Sequence, residues 1–314
     1  MSSAPATPPA AAAPATRIAL WWYTLRPRTL PAVLGPILLG WALVPSGGFS
    51  LWTASLCLLC ALSLQVAVNL ANDYFDGRSG VDQADRLGPA RALQSGWVSA
   101  KALRHALGIA LGVALLSGSV LVWNGHWLLW LLGAAALAAT LGYSGGRRPY
   151  ANRALGEVVV WLFFGPIAVL GVLLAHQSPI SQAAVVASVL MGLPVAAILV
   201  VNNVRDRYTD ARAGKYTLAV YLDRPGMDRL YGLLLLCPLV LSLPLGLPDR
   251  SPAPPPSVHP YWLSWGLLLL LSLVLIRRFH AAEGRALNPL LGHTALFSLG
   301  FAAWLAVRHL FWFA

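Results

Sequence analysis

An all-α, polytopic membrane bundle of about nine transmembrane helices is the fold this sequence predicts. Three observations point to it. Hydrophobic residues make up 58% of the 314 and charged residues only 11%, and the mean hydropathy is +0.67. Apolar stretches of about 20 residues recur along the chain, each long enough to cross a hydrocarbon core of ~30 Å as a helix. A soluble protein of one large or two ordinary domains would carry many more charges.

Taken in order, residues 1–16, "MSSAPATPPAAAAPAT", are Ala/Pro-rich and predict a disordered tail. They lack the basic segment followed by an apolar run that marks a signal peptide. Residues 17–314 predict a single transmembrane domain, with spans near 29–45, 51–72, 103–123, 126–143, 155–176, 181–203, 229–247, 261–278 and 289–307. The first span is short and interrupted by Pro31 and Pro36. The links "PSGG", "WNGH" and "HQSP" are short and plain, and "LPDRSPAPPPSVHP" (247–260) is a Pro-rich loop.

The formal charge of +11 records topology. Of the 22 Lys and Arg residues, only Arg250 and Arg308 fall on one side of a nine-span map; all the others fall on the opposite side. Lys and Arg accumulate in cytoplasmic loops, so the N-terminus is expected in the cytoplasm. No soluble basic domain is present to carry a nucleic-acid surface, and none is expected. Cys57 and Cys60 form a CxxC on an apolar span with no nearby His or second pair, which reads as packing. Nothing in the sequence sets an oligomeric state.

Polar sequence concentrates in three islands on the basic side: "NDYFDGRSGVDQADRLGPARALQSG" (72–96), "YSGGRRPYANRALGE" (143–157) and "NNVRDRYTDARAGKYTLAV" (202–220). Asn72 and Asp76 are four apart and share one helical face. Asp82 follows past Gly77 and Gly80, which would let the chain turn back. Asn202, Asp206 and Asp210 recur at i, i+4 and i+8, again one face. The two outer islands share N-x-x-x-D followed by another Asp, which suggests two bundle halves offering carboxylates to one centre. Carboxylates brought together repel unless a cation joins them. Oxygen ligands without His or Cys suit Mg²⁺, which binds through a few carboxylates plus substrate phosphates. The interleaved Arg86, Arg91, Arg147, Arg148, Arg205, Arg212 and Lys215 could meet the remaining phosphate oxygens. The pattern asks for a diphosphate held at a membrane surface. Ordinary pairing of these acids and arginines as juxtamembrane charges is the alternative for either motif alone.

These islands resemble the signatures of the UbiA superfamily of intramembrane aromatic prenyltransferases. The resemblance runs from "LRPRTLPA" (25–32) to about residue 310. It implies a UbiA-like prenyltransferase fold, with Asp76, Asp82, Asp206 and Asp210 holding Mg²⁺, and Asn72 and Asn202 orienting a polyprenyl diphosphate. Lys215, Arg148 and Arg212 are the candidate diphosphate cations, with Asp76, Asp206, Asp210 and Lys215 as the catalytic set. Asp73 and Asp85 stay open between ligand and solvated neighbour. Within the superfamily, "NLANDYFDGRSGVDQADRLGP", "RPYANRALGE" and "AGKYTLAV" look like the branch acting on 1,4-dihydroxy-2-naphthoate, the six-residue step from Asp76 to Asp82 included. Tyr216 departs from that pattern, where a polar or basic residue is more usual. The implied reaction joins the polyprenyl group to dihydroxynaphthoate with loss of diphosphate and CO₂, giving demethylmenaquinone in a bacterial cytoplasmic (inner) membrane, with the active site facing the cytoplasm.

Tyr143 and Tyr150 are candidates to stabilise a cation by their ring faces. Trp161, Phe163 and Phe164 are candidates for the acceptor slot, and Glu157 for fixing a loop arginine. Three other readings compete. A relative acting on 4-hydroxybenzoate usually spaces the first motif's later aspartate at four, not six. An ion-coupled transporter places its acids near mid-span, whereas these sit at span ends among arginines. A CDP-alcohol phosphotransferase would need a DGxxAR stretch followed by GxxxD, which is absent.

Overall fold

The computed structural model describes residues 13–79, 87–146, 149–243 and 259–313. Most of the tail, Asp82, Asp85, Arg86, Arg147, Arg148 and most of the Pro-rich loop lie outside these residues. Every regular element among the described residues is helical; one isolated parallel bridge joins Arg153 to Tyr216.

Helix α1 (Arg17–Leu25) starts at Thr16, whose hydroxyl accepts from the Ala19 N–H, and ends at Arg26, which is left-handed at φ 56°. Pro27 then opens a single 3₁₀ turn, Pro27–Thr29. There follow α2 (Pro31–Leu43), α3 (Leu51–Ser79), α4 (Ala100–Asn124) and α5 (Leu128–Gly142). The next span joins α6 (Gly156–Leu162) to α7 (Ala168–Ala175) through a widened π turn, Phe163–Ile167, that holds Pro166. The missing proline N–H fits a turn whose hydrogen bonds are already reset. Then come α8 (Gln182–Arg212), the short α9 (Leu218–Tyr221), α10 (Arg224–Leu241), α11 (His259–Ala281) and α12 (Asn288–Phe313). Ser99, Ser181 and Asp223 cap α4, α8 and α10 with side-chain oxygens.

Six segments are long and apolar enough to cross a bilayer: 51–78, 100–124, 156–175, 182–212, 262–281 and 284–310. Helices α2 and α5 are shorter and apolar, and α10 lies where the seventh span was expected. This is an integral membrane protein.

The largest departures from expectation are the two motif helices. Helix α3 runs to Ser79, so the chain stays helical through Gly77, where the sequence suggested a turn. Helix α8 runs to Arg212, well past the expected end at 203. With 29 and 31 residues, they measure about 43 and 46 Å, against a core of ~30 Å. They start together, because His176 stacks on Phe49 at 5.5 Å and its Nε2 lies 3.2 Å from the Ser50 carbonyl. Their last turns therefore project at the same opposite end, and these turns carry the N-x-x-x-D faces.

Loop contacts sort the chain to two ends. At the end where α3 and α8 start, the Gln177 amide reaches the Asn124 carbonyl, and His126 N–H the Leu174 carbonyl. At the other end, the Ala154 N–H meets the Tyr216 carbonyl and the Asn288 amide meets the Leu87 carbonyl. The polar islands share that second end.

Small residues let the helices approach where no water-driven collapse operates. Gly165 and Gly192 meet backbone to backbone. A Cβ on Gly165 would stand 2.6 Å from the Ser188 carbonyl, and one on Gly192 would strike the Trp161 carbonyl. Helix α8 also packs on α10 and α12, α3 packs on α4 and α5, and α2 and α7 touch both. Beyond those shared helices the two motif helices have different neighbours, with a cavity between them.

Candidate functional site

The cavity measures about 1000 Å³, and both motif helices contribute to its wall. Its body is apolar, lined by residues such as Phe163, Phe164, Ile167, Val195 and Ile198, with the thiols of Cys57 and Cys60 among them. Polar groups gather at its motif end: Asn72, Asn202, Arg205, Asn288, Tyr143 and Tyr150. This is the usual build of a ligand pocket, apolar with a few polar groups at one place.

Among the described residues, each motif aspartate has a basic partner. Asp76 on α3 meets Arg91 at 2.7 Å. Asp206 on α8 takes a fork from Arg205, with Nε donating to Oδ1 at 2.8 Å and Nη2 to Oδ2 at 2.5 Å. Asp210 lies 3.5 Å from the Lys215 Nζ. Asn72 Oδ1 accepts from the Ser144 hydroxyl at 2.6 Å, and Asn202 Oδ1 accepts from Arg205 Nη2 at 2.8 Å. Asp76, Asp206 and Asp210 thereby each have a local counterion, as charges drawn out of water require.

Tyr143, just beyond the last turn of α5, links the halves. Burial pushes its phenol pKa up, and Tyr150 and the carboxylates of Asp76, Glu157 and Asp210 push it further. Acids from α3, α6 and α8 therefore all lie within electrostatic reach of one phenol, which stays protonated and able to donate. Its ring meets Tyr150 edge-on at 5.3 Å. The Tyr150 hydroxyl donates to the Ala139 carbonyl at 2.9 Å, and burial raises its pKa as well.

Several sequence-level candidates fall elsewhere. Arg212 is exposed at the end of α8 and directs its Nε at the Tyr208 carbonyl; it is not part of the cavity lining. Among the described residues Glu157 meets no arginine: its Oε1 accepts from the Asn203 amide at 2.9 Å, inside the bundle. Trp161 donates to the Val189 carbonyl and so braces α8, while Phe163 and Phe164 do line the cavity. Asp73 is buried, and its carboxylate accepts the backbone N–H groups of Ala92 and Leu93, which fastens the segment after the first motif to α3. Asp82, Asp85 and Arg148 lie outside the described residues.

Arg205, one of the cations the sequence offers for phosphate oxygens, is fully buried and touches Asp206, Asn202 and Asn288. One residue went unassigned in the sequence. Asn288, at the start of α12, lies outside every motif and left no signal.

The oxygen donors suit a hard cation, although among the described residues no three metal-ligating side chains converge. Mg²⁺ commonly uses one or two carboxylates and completes its shell with phosphates and water. The donors present fit such an ion when it arrives with a diphosphate.

The pattern of the UbiA prenyltransferase family matches residues 33–299. A 1,4-dihydroxy-2-naphthoate octaprenyltransferase of Haemophilus influenzae is 38% identical over 66% of this chain and 70% of its own length. The Escherichia coli protein of the same name is 33% identical over 89% of this chain and 91% of its own. Among solved structures, a UbiA homolog from Archaeoglobus fulgidus bound to GPP and Mg²⁺ superimposes with a TM-score of 0.61. It covers 92% of this chain and 98% of its own at 17% identity, a likeness of fold.

Proposed function

The chain belongs to the UbiA prenyltransferase family, and from that premise we propose that it transfers a polyprenyl group from polyprenyl diphosphate to 1,4-dihydroxy-2-naphthoate, releasing diphosphate and CO₂ and forming demethylmenaquinol, the reduced form of demethylmenaquinone. The observation that carries this reading is the pair of N-x-x-x-D faces, on α3 and α8, that flank one apolar cavity. The naphthoate octaprenyltransferases at 33–38% identity support the acceptor.

The polyprenyl tail lies in the apolar body of the cavity, and its diphosphate lies at the motif end. Asn72 and Asn202 orient the phosphate oxygens, and Arg205 and Lys215 offer N–H donors to them. Arg148 is retained as a further donor. Asp76, Asp82, Asp206 and Asp210 are the residues that would hold Mg²⁺, a reading supported by the Mg²⁺ and prenyl diphosphate in the family structure. Bound there, the ion would neutralise the charge that builds on the leaving diphosphate. The allylic C–O bond ionises with water kept out by the helices. The ring faces of Tyr143 and Tyr150 stabilise the allylic cation. The electron-rich ring of the acceptor attacks through its carboxylate-bearing carbon, and the C–C bond to the carboxylate breaks to give CO₂. The hydroxyls activate the ring, so no strong base is required. The protein works in a bacterial cytoplasmic membrane, with this end toward the cytoplasm, where the basic loops belong.

The test is prenyl transfer by purified protein in lipid nanodiscs with labelled polyprenyl diphosphate. Dihydroxynaphthoate should be prenylated with stoichiometric CO₂. 4-Hydroxybenzoate should react at least about a hundredfold more slowly, a gap of ~2.7 kcal/mol. Faster reaction of hydroxybenzoate, or product without CO₂, would overturn the acceptor assignment.

A further inference from the structure

One side chain outside both motifs joins the elements that build the motif end. Asn288 Oδ1 accepts from Arg205 Nη1 at 3.0 Å, and its Nδ2 donates to the Leu87 carbonyl at 3.1 Å. Arg205 belongs to α8, Leu87 to the segment that follows the first motif, and Asn288 to α12, which carries neither motif. Gly88 completes the joint: a Cβ there would stand 2.6 Å from Arg205 Nη2 and 2.9 Å from its Cζ. Backbone therefore lies directly on the guanidinium, and only glycine leaves it room.

The same segment is fastened at its other end to α3. Arg91 pairs with Asp76, and the Ala92 and Leu93 N–H groups bind Asp73. Pro89 and Ala90, between the two anchors, line the cavity. The segment Leu87–Leu93 thus crosses the cavity mouth from one motif helix to the other.

We propose that Asn288 is a positioning residue for the diphosphate. Its carbonyl oxygen sets the plane of the Arg205 guanidinium, and its N–H clamps Leu87–Leu93 across that guanidinium. Seating of the segment and aiming of Arg205 are then one event. The chemistry requires an acceptor and a donor on one short side chain, which asparagine supplies, whereas aspartate lacks the donor and leucine lacks both. The proposal rests on the prenyl-transfer reading for its ligand, but the joint itself can be tested without any ligand.

Hydrogen–deuterium exchange on the full-length, substrate-free protein reads the clamp directly. Asn288→Asp and Asn288→Leu should each speed exchange across 87–93 by about tenfold or more, with α3 and α8 mid-span amides unchanged. Kinetics reads the positioning. Asn288→Leu should raise KM for polyprenyl diphosphate about tenfold, Asn288→Asp less because it still accepts from Arg205, and KM for the aromatic acceptor should stay put. Gly88→Ala should reproduce the KM effect from the opposite side of the guanidinium, so the idea stays testable if a position-288 variant fails to fold. Unchanged exchange in both position-288 variants would overturn the clamp, and unchanged prenyl diphosphate KM in Asn288→Leu and Gly88→Ala would overturn the positioning role. Absence of prenyl transfer in the unmodified chain would sink the functional reading instead, with the exchange result still deciding the clamp.

Discussion

A buried guanidinium is tolerable only when its charge is matched and its five N–H groups find acceptors. Arg205 matches its charge with Asp206 and places four of its N–H groups on Asp206, Asn202 and Asn288. Lysine would keep the charge and lose the fork, so Arg205→Lys should lower kcat/KM by about tenfold or more while the protein still purifies as a folded species. Asp73 makes the contrasting case. It sits three residues before Asp76 and looks equally available to a metal in the sequence, yet its oxygens hold two backbone N–H groups. Asp73→Asn should cost about 1–3 kcal/mol of stability, seen as a lower Tm, with the Mg²⁺ concentration for half-maximal activity unchanged. A shifted Mg²⁺ requirement would return Asp73 to the metal set.

At the scale of elements, much was legible. Periodicity and apolar length placed the spans, and the i, i+4 spacing of Asn72 with Asp76 and of Asn202 with Asp206 correctly implied helical faces. Helix ends were less legible, because hydropathy marks where lipid stops and not where hydrogen bonding stops; α3 and α8 continue into polar sequence for about two turns. The joint at Asn288 was invisible, since it depends on which loop lands on which helix, a contact between residues 201 apart. Arg212, at the last turn of α8, is exposed and directs its Nε at the Tyr208 carbonyl, an orientation that residue spacing alone does not give. Packing gives the element-scale prediction. Gly192→Val would drive side-chain atoms into the Trp161 carbonyl, at a cost of about 1–3 kcal/mol. Thermal unfolding in detergent should show it, and an unchanged Tm would mean that α8 and the 156–175 span separate easily.

Across the whole molecule, the arrangement divides labour between two packing neighbourhoods. Helix α3, with α4 and α5, carries one carboxylate face; α8, with α10 and α12, carries the other. Asn72 of one face and Asn202 of the other both line the cavity, and our proposal is that a ligand at its mouth touches both faces. The basic loops share one end of this bundle, the end we propose faces the cytoplasm because Lys and Arg accumulate there. In a background with Cys57, Cys60 and Cys237 replaced by Ala, Ala211→Cys should label from the cytoplasmic side and Ser46→Cys from outside. The reverse pattern would invert the protein in its membrane.

The central claim is that the two aspartate faces act on one diphosphate across one cavity, and a double-mutant cycle between Asp76→Asn and Asp206→Asn tests it most directly. With Mg²⁺ and polyprenyl diphosphate present, each single change should lower kcat/KM by about a thousandfold. The double variant should lose little more than either, because both acids serve one bound complex and the effects cannot add. Losses that multiplied in the double variant would contradict the account, showing two independent sites where it places one.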